Sequence, residues 1–174
     1  VTGVPGAGKT LVGLDIATKY LDAKNDLHSV YLSGNGPLVN ILREALARDD
    51  VSRAREQGKP RGKGAARQAV KTFIQPIHHF RDECLKDPAP IAEHVAIFDE
   101  AQRAWDASHM LIKKGIDFSE PELLISIGEK IEGWAALIGL IGHGQEIHTG
   151  EEAGIGGWFQ ALNSIHANSE WKVY

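Results

Sequence analysis

The chain has 174 residues and a formal net charge of −4, a length that suggests one domain with a sizeable core. Hydrophobic residues make up 43% and charged residues 24%, which are ordinary values for a soluble globular protein. No apolar run approaches the roughly 18 residues that cross a bilayer, and a single cysteine, Cys84, excludes an internal disulfide framework. We therefore expect a cytoplasmic protein without a membrane partner.

The chain opens on VTGVPGAGKT, in which residues 3–10 form a complete G-x-x-x-x-G-K-[ST] signature. Such a loop connects a buried strand to a helix. Val1 and Thr2 are interpreted as the last residues of that strand, and we predict a helix over about residues 8–22. The chain is therefore expected to begin inside its first strand.

The residue types of this loop fit a nucleoside triphosphate with Mg²⁺. Glycines permit backbone conformations in which successive N–H groups surround an anion, and the following helix adds its positive N-terminal end. Lys9 supplies a mobile charge for the β- and γ-phosphates, and the Thr10 hydroxyl can ligate Mg²⁺. The cofactors are predicted to be ATP and Mg²⁺. The predicted nucleotide-binding residues are Gly3, Val4, Pro5, Gly6, Ala7, Gly8, Lys9, Thr10 and Leu11, with Lys9 also catalytic.

The next stretches predict a strand, a helix and a loop. HSVYLSG is a short β-rich run that ends at Gly34, and GPLVNILREALARDD places apolar residues on one helical face. SRAREQGKPRGKGAARQ, residues 52–68, lacks apolar periodicity and contains Gly and Pro, which predicts a mobile loop. Phe73, Ile77, Phe80 and Cys84 then recur at helical spacing, and KDPAP ends that helix.

Charge is concentrated in the middle of the chain. Residues 53–71 carry a net charge of +6, against −10 for the remainder. A basic segment on an acidic body is either a nucleic-acid footprint or a solvated loop. The residues considered as nucleic-acid contacts in this segment are Arg61, Lys63 and Arg67.

In HVAIFDE, four consecutive apolar residues are followed directly by two carboxylates. Continuous hydrophobicity indicates a strand covered on both faces, as in a parallel sheet. Asp99, at the strand end, can hold Mg²⁺, and Glu100 is placed to act as a general base for an attacking water. Small-molecule kinases do not need that glutamate, because their acceptor hydroxyl replaces water. The pair therefore favours hydrolysis.

The last third of the sequence continues the alternation of helices and strands. SEPELLISIGEKI begins with a capping box at Ser119 and Glu122. AALIGLIGHGQ predicts a second buried strand, GGWFQALNSI a short helix, and WKVY a final strand. Gln145, just beyond the second buried strand, either contacts the γ-phosphate or attacking water, or completes a turn. The whole pattern predicts an α/β domain with a mostly parallel sheet, truncated at both ends.

GVPGAGKT, VYLSGNGPLV, HVAIFDEAQRAW and GLIGHGQEIHTGEE together resemble the Schlafen-type, group 3-like DNA/RNA helicase domain. This domain, also known as domain of unknown function 2075, belongs among the superfamily 1-like P-loop NTPases. The resemblance covers essentially the whole chain. It implies a RecA-like three-layer α/β/α sandwich, in which the strand at about residues 135–141 lies between the phosphate-loop strand and the Asp99 strand.

The resemblance also implies roles for individual residues. Residues 33–36, with Ser33 and Asn35 as the side chains considered, correspond to a segment that often contacts the nucleic-acid backbone. Gln102 would link the nucleotide to the nucleic-acid side, and Gln145 would be the motif III glutamine with a catalytic role. Many superfamily 1 helicases have Asp two residues before that glutamine, where this chain has His143.

Two expected parts of such a motor are not in this sequence: the adenine-contacting segment and a second RecA-like lobe with arginine fingers. We therefore expect one motor half that binds ATP or ADP but hydrolyses ATP slowly or undetectably, and whose full-length parent binds single-stranded nucleic acid. A nucleotide-gated binding or signalling switch that does not translocate remains an alternative. A P-loop kinase is a third reading, against which Glu100 and Gln145 argue.

Overall fold

The computed structural model describes residues 1–19, 28–87, 89, 91–142, 154–165 and 171–174. Its strands form one sheet in the order β1-β5-β4-β2-β3, and every pairing between them is parallel. The predicted place of the 135–141 strand, between the phosphate-loop strand and the Asp99 strand, is confirmed. The strands are β1 (Thr2–Gly3), β2 (His28–Ser33), β3 (Ile74–Pro76), β4 (Glu93–Asp99) and β5 (Ala136–Gly142).

Helices cover both faces of this sheet. One apolar cluster joins the sheet to α1, α2 and α3, and a second cluster joins the opposite face to α4, α6 and α7. The predicted three-layer α/β/α sandwich is therefore confirmed. The helices of the described residues are α1 (Lys9–Lys19), α2 (Gly36–Glu56), α3 (Lys63–Phe73), α4 (Ile77–Lys86), α5 (Ala107–Lys114), α6 (Glu120–Gly128) and α7 (Gly154–Ser164). None of these helices has the length and apolarity needed to cross a membrane.

The central residues of β2 are all apolar or aromatic because both faces of this strand are covered. Val30 and Leu32 pack into the cluster on the α4 face, whereas Tyr31 between them packs into the cluster on the α1 face. All three side chains are fully buried. Successive residues of a strand point to opposite faces, so a strand with helices on both sides has no position for an exposed polar residue.

Helix α1 lies very close to the sheet. A Cβ atom added at Gly13 would lie 2.6 Å from Leu140 and 3.0 Å from the ring of Tyr31, so only glycine permits this approach. On its outer side α1 leaves Leu11 70% exposed. The helix was predicted to extend to residue 22; its last described residue is Lys19, and residues 20–22 lie outside the described ranges.

The predicted loop over residues 52–68 is wrong. Helix α2 continues to Glu56 and α3 begins at Lys63, so only residues 57–62 connect them. Arg67 of α3 pairs with Glu44 of α2 at 2.9 Å, and Arg61 of the connection pairs with Asp50 of α2 at 2.8 Å. The buried residues of α3 are Ala66, Val70 and Phe73, which recur at helical spacing, so the apolar period begins inside the segment that was predicted to be a loop.

Two smaller predictions also need correction. A single helix through Phe73 and Cys84 is wrong, since β3 interrupts it; the residue before a proline favours extended backbone, and Pro76 ends this strand. The predicted final strand at residues 171–174 has no regular secondary structure. Instead, the indole N–H of Trp171 donates to the Glu129 carboxylate.

The predicted capping box is confirmed at the start of α6. The Ser119 backbone N–H donates to the Glu122 carboxylate at 2.7 Å, and the Glu122 N–H donates back to the Ser119 hydroxyl at 3.3 Å. These bonds satisfy donors that the first turn of a helix leaves without partners.

Candidate functional site

The candidate residues meet at the carboxyl edge of the sheet. Gly3 of β1 pairs in register with Gly142 of β5, and Ser33 of β2 pairs with Asp99 of β4. Parallel strands end at the same edge, and in open α/β sheets ligands bind at this edge. The phosphate loop, the two carboxylates and the end of β2 are therefore brought together.

The phosphate loop has the backbone that its glycines predict. Gly6 has φ of +79° and Gly8 has φ of +83°, in the left-handed region that side chains rarely adopt. A Cβ added at either position would meet nothing within 4 Å, so glycine is needed for conformation rather than for space. The Ala7 N–H donates to the Val4 carbonyl at 3.1 Å and closes the turn.

Lys9 is the first residue of α1, and its side chain bends back over the loop. Its ammonium donates to the Gly3 carbonyl at 2.8 Å and to the Val4 carbonyl at 3.1 Å. The positive end of the α1 dipole lies at the same place, since the helix begins here. Two sources of positive potential therefore converge on the concave side of the loop, where an anion would bind.

Thr10 and Asp99 form a pair of oxygen ligands. The Thr10 hydroxyl donates to Asp99 Oδ2 at 3.4 Å, and Asp99 is only 2% exposed. Asp99 Oδ1 is buried without a hydrogen-bond partner of regular geometry. Hydroxyl and carboxylate oxygens are the ligands that Mg²⁺ prefers, and the long contact with Thr10 leaves Asp99 Oδ2 with coordinating capacity. The residues present therefore fit a magnesium ion.

Burial governs the protonation of this carboxyl group. Removal from water raises the pKa of Asp99, and the neighbouring charge of Glu100 raises it further, while hydrogen bonding to Tyr31 and Thr10 lowers it in part. An ionised Asp99 is therefore held at a free-energy cost. A cation bound at the same place would offset that cost.

Tyr31 is a site residue that the sequence analysis missed. Its side chain is fully buried, and its hydroxyl has no hydrogen-bond partner of regular geometry. The sheet register places it on the same face as Asp99, and burial and the nearby Asp99 charge both raise the pKa of the phenol. One signal in the sequence could have identified it: a phenol between the apolar residues Val30 and Leu32, two residues before the strand end.

Glu100 follows Asp99 in an unusual backbone conformation. Its φ of +56° makes it the one non-glycine residue with positive φ in the described ranges. Such a conformation costs of the order of 1 kcal/mol or more for a residue with a Cβ and is found at functional sites. It turns the chain sharply from β4 into a 3-10 turn, Ala101–Arg103.

Gln102 connects Glu100 to the end of β5. Its amide nitrogen donates to Glu100 Oε2 at 2.5 Å, and its amide oxygen accepts the Gly142 N–H at 3.1 Å. The side chain of Gln102 is 3% exposed. Gln102 was predicted from family resemblance as a linking residue, and the structure places it between these two elements.

A buried ion pair that was not predicted from the sequence contacts the segment after β4 at Trp105. Arg81 of α4 donates to Glu120 of α6 at 2.7 Å, and both are 2% exposed. The second oxygen of Glu120 accepts the Trp105 backbone N–H at 2.9 Å, and the Arg81 guanidinium lies 4.5 Å from the centre of the Trp105 ring. Glu120 and Arg81 are 39 residues apart, so no local pattern could pair them.

The residues considered for nucleic-acid contact fall into two separate groups. Ser33 and Asn35 lie at the site edge, where the Asn35 side chain caps α2 by accepting the Leu38 N–H at 3.1 Å. Arg61, Lys63 and Arg67 lie on the α2–α3 hairpin. Two of these three, Arg61 and Arg67, form ion pairs with α2. Helix α2 begins next to Asn35 and runs for 21 residues, about 30 Å, before the connection that contains Arg61. Gln145 and His143 lie outside the described residues.

A comparison with known protein families gives one result. The model of the Schlafen group 3, DNA/RNA helicase domain matches residues 1–173. Neither the curated proteins nor the solved structures include a significant match to this chain.

Proposed function

Because the chain belongs to the Schlafen group 3 DNA/RNA helicase domain family, we propose that it binds ATP or ADP with Mg²⁺ and hydrolyses ATP. One observation carries this proposal: Lys9, Thr10 and Asp99 converge at a glycine-rich loop on the carboxyl edge of the sheet. The single cysteine fits the reducing cytoplasm as the place of this activity.

The phosphate loop would bind the phosphate groups. Its backbone N–H groups and the N-terminus of α1 supply fixed dipoles, and the Lys9 ammonium would exchange the Gly3 and Val4 carbonyls for the β- and γ-phosphates. Thr10 and Asp99 would hold Mg²⁺, directly or through water. The ion, when bound, neutralises charge that develops on the phosphate oxygens during transfer.

Glu100 would act as the general base. A water oxygen attacks the γ-phosphorus, the bond from that phosphorus to the bridging oxygen breaks, and the water proton passes to the Glu100 carboxylate. Gln102 holds this carboxylate in place through its amide. The catalytic residues that we propose are Lys9, Glu100 and Gln145. Gln145 lies outside the described residues and would contact the γ-phosphate or the attacking water.

Calorimetric titration with ADP and with a non-hydrolysable ATP analogue, in the presence of Mg²⁺, tests this proposal. We expect Lys9→Ala to weaken binding about tenfold or more, since hydrogen bonds to charged groups contribute about 1.5–3 kcal/mol. Lys113→Ala is the matched control, because Lys113 is exposed on α5. Glu100→Gln should retain binding. If well-folded protein takes up no nucleotide, or if the two lysine variants bind alike, the proposal is wrong.

We further propose that the full-length protein binds single-stranded nucleic acid. The family name includes DNA and RNA, and Ser33 and Asn35 lie at the same sheet edge as Asp99. The basic residues Arg61, Lys63 and Arg67 would add phosphate contacts along the α2–α3 hairpin. Because Arg61 and Arg67 are already paired with carboxylates, binding there would require phosphate to compete with Asp50 and Glu44.

The salt dependence of oligonucleotide binding measures these phosphate contacts. Each contact that is lost lowers the slope of log affinity against log salt by about 0.7 for a single strand. We expect the triple variant Arg61→Ala, Lys63→Ala, Arg67→Ala to have the shallower slope by fluorescence anisotropy. Lys113→Ala again serves as the control. An unchanged slope would make the hairpin an ordinary charged surface.

A further inference from the structure

We propose that Tyr31 is a positioning residue for the magnesium site: its buried hydroxyl donates a hydrogen bond to the Asp99 carboxylate and fixes the orientation of that carboxylate beside Thr10. This inference rests on the proposed function, because it concerns the Mg²⁺ that accompanies the nucleotide. It assigns a role in metal binding to a residue that lies entirely within the core and has no access to the ligand itself.

The hydroxyl group of Tyr31 is unexplained by packing alone. The ring lies against Gly13 of α1, where an added Cβ would be 3.0 Å from Tyr31 Cε2, and it belongs to the apolar cluster on this face. A phenylalanine would fill the same space. A buried hydroxyl without a partner destabilises a protein by about 1–3 kcal/mol, and buried polar groups are therefore nearly always paired.

Asp99 is the partner that the geometry supplies. Among the described residues, the buried side-chain atoms without a regular hydrogen-bond partner are Tyr31 Oη and Asp99 Oδ1. One belongs to a group that has a proton to donate, and the other is a carboxylate oxygen that can only accept. The two atoms can therefore satisfy each other, one as donor and the other as acceptor.

The sheet register explains how the two groups meet. Tyr31 pairs with Ile97, and Ser33 pairs with Asp99, on neighbouring parallel strands. Tyr31 is therefore two residues below the level of Asp99 and points to the same face, a distance of about 7 Å along the strand. A phenol side chain is long enough to cross that gap along the strand. Ser33, which pairs with Asp99, has a shorter side chain.

The bond would leave the other carboxylate oxygen in position for the metal. Asp99 Oδ2 faces the Thr10 hydroxyl at 3.4 Å, which is the second predicted Mg²⁺ ligand. With Oδ1 held by the phenol, rotation of the carboxylate about its last bond is restricted. Groups that orient a metal ligand in this way commonly change metal affinity by 10–100-fold.

The test separates nucleotide binding from the contribution of Mg²⁺. ADP affinity is measured for the parent and for Tyr31→Phe, once in EDTA and once in Mg²⁺. We expect the two proteins to agree within about twofold in EDTA, while the gain in affinity from Mg²⁺ is about tenfold smaller in the variant. Tyr174→Phe is the matched control, because it removes a hydroxyl from a fully exposed ring.

The outcomes distinguish this inference from the proposed function. If the parent binds ADP but Tyr31→Phe keeps the full gain from Mg²⁺, the inference is overturned and the proposed function stands. Equal weakening in EDTA and in Mg²⁺ would also overturn it, since that result describes a role of Tyr31 in packing. If the parent binds no ADP in Mg²⁺, the proposed function fails first.

A double variant provides an independent check. In an Asp99→Asn background the carboxylate that Tyr31 would orient is gone, so adding Tyr31→Phe should cause no further loss of the Mg²⁺-dependent gain. Additive losses from the two substitutions would show that Tyr31 acts elsewhere and would overturn the inference. Thermal denaturation of each variant establishes that it is folded before affinities are compared.

Discussion

Two buried polar clusters lie near the segment that follows β4, and they differ in how fully their atoms are paired. In the first, Arg81 and Glu120 form an ion pair, both Glu120 oxygens accept hydrogen bonds, and the guanidinium stacks on Trp105. In the second, Asp99 and Tyr31 each keep a buried atom without a regular partner. The first cluster pairs its carboxylate with a cation, whereas the groups around the Asp99 carboxylate in the second cluster include the neutral hydroxyls of Tyr31 and Thr10.

The same physical effect acts on the carboxylate of each cluster, and its consequences differ. Burial raises the pKa of both Glu120 and Asp99. For Glu120 the Trp105 N–H and the Arg81 charge oppose the shift. For Asp99, hydrogen bonding to Tyr31 and Thr10 opposes the shift and the adjacent Glu100 charge increases it. A protein that keeps an incompletely paired carboxylate gives up stability, which is the usual consequence of maintaining a functional site.

The largest expected effect comes from breaking the paired cluster. Arg81→Met should lower the free energy of unfolding by about 3–5 kcal/mol at pH 7, because it leaves the buried Glu120 charge without its cation. Chemical denaturation followed by circular dichroism measures the change. Arg55→Met is the matched control, because Arg55 is exposed on α2. Arg103 is unsuitable as a control, since it lies in the segment that follows Glu100.

The loss of unfolding free energy in Arg81→Met should depend on pH. Without Arg81 the folded-state pKa of Glu120 rises further above its unfolded value, so the stability that protonation contributes is present at low pH and lost as the pH rises. The difference between Arg81→Met and the parent should therefore be larger at pH 8 than at pH 5. A difference that does not change with pH would mean that lost packing, not the unpaired carboxylate, destabilises the variant.

A smaller effect of opposite sign is expected from the incompletely paired cluster. Asp99→Asn should raise the free energy of unfolding by about 1 kcal/mol in the absence of nucleotide, because a neutral amide of the same shape removes a negative charge that burial destabilises. The same substitution should reduce, without abolishing, the affinity gained from Mg²⁺, because Thr10 remains. Urea denaturation and ADP titration of one protein preparation give both numbers.

The stabilisation by Asp99→Asn also has a predicted pH dependence. The pKa of Asp99 is raised in the folded state, so the parent is most stable relative to the variant at low pH and loses that advantage as the pH rises. The increase in the free energy of unfolding caused by Asp99→Asn should therefore be larger at pH 8 than at pH 4. A destabilised Asp99→Asn protein would show that hydrogen bonds to the ionised carboxylate outweigh its cost of burial, and the contrast between the clusters would disappear.

Much of the fold and part of the site could be predicted because their signals are local. The phosphate loop, the strand that ends in Asp99 and the capping box at Ser119 each depend on residues within about eight positions of one another. Continuous apolar runs predicted strands with helices on both faces, as β4 and β5 confirm. The pattern of residue types in such short stretches follows directly from backbone geometry.

The remaining features depend on residues that meet only after folding. Tyr31 reaches Asp99 because of the register between β2 and β4, and register cannot be read from one strand. Strand β3 has three residues, too few to show a period. The 52–68 segment contains glycines and lysines that resemble a loop, but it forms the end of α2 and the start of α3, whose Ala66 packs into the apolar cluster on the α1 face.

The bridge made by Gln102 restricts what can occupy that position. One end of its amide donates to Glu100 and the other accepts from Gly142, so both halves of the group are in use. A carboxylate of equal length would repel Glu100, and an ammonium would leave the Gly142 N–H without an acceptor. Only a terminal group with a donor and an acceptor side by side can join these two strand ends.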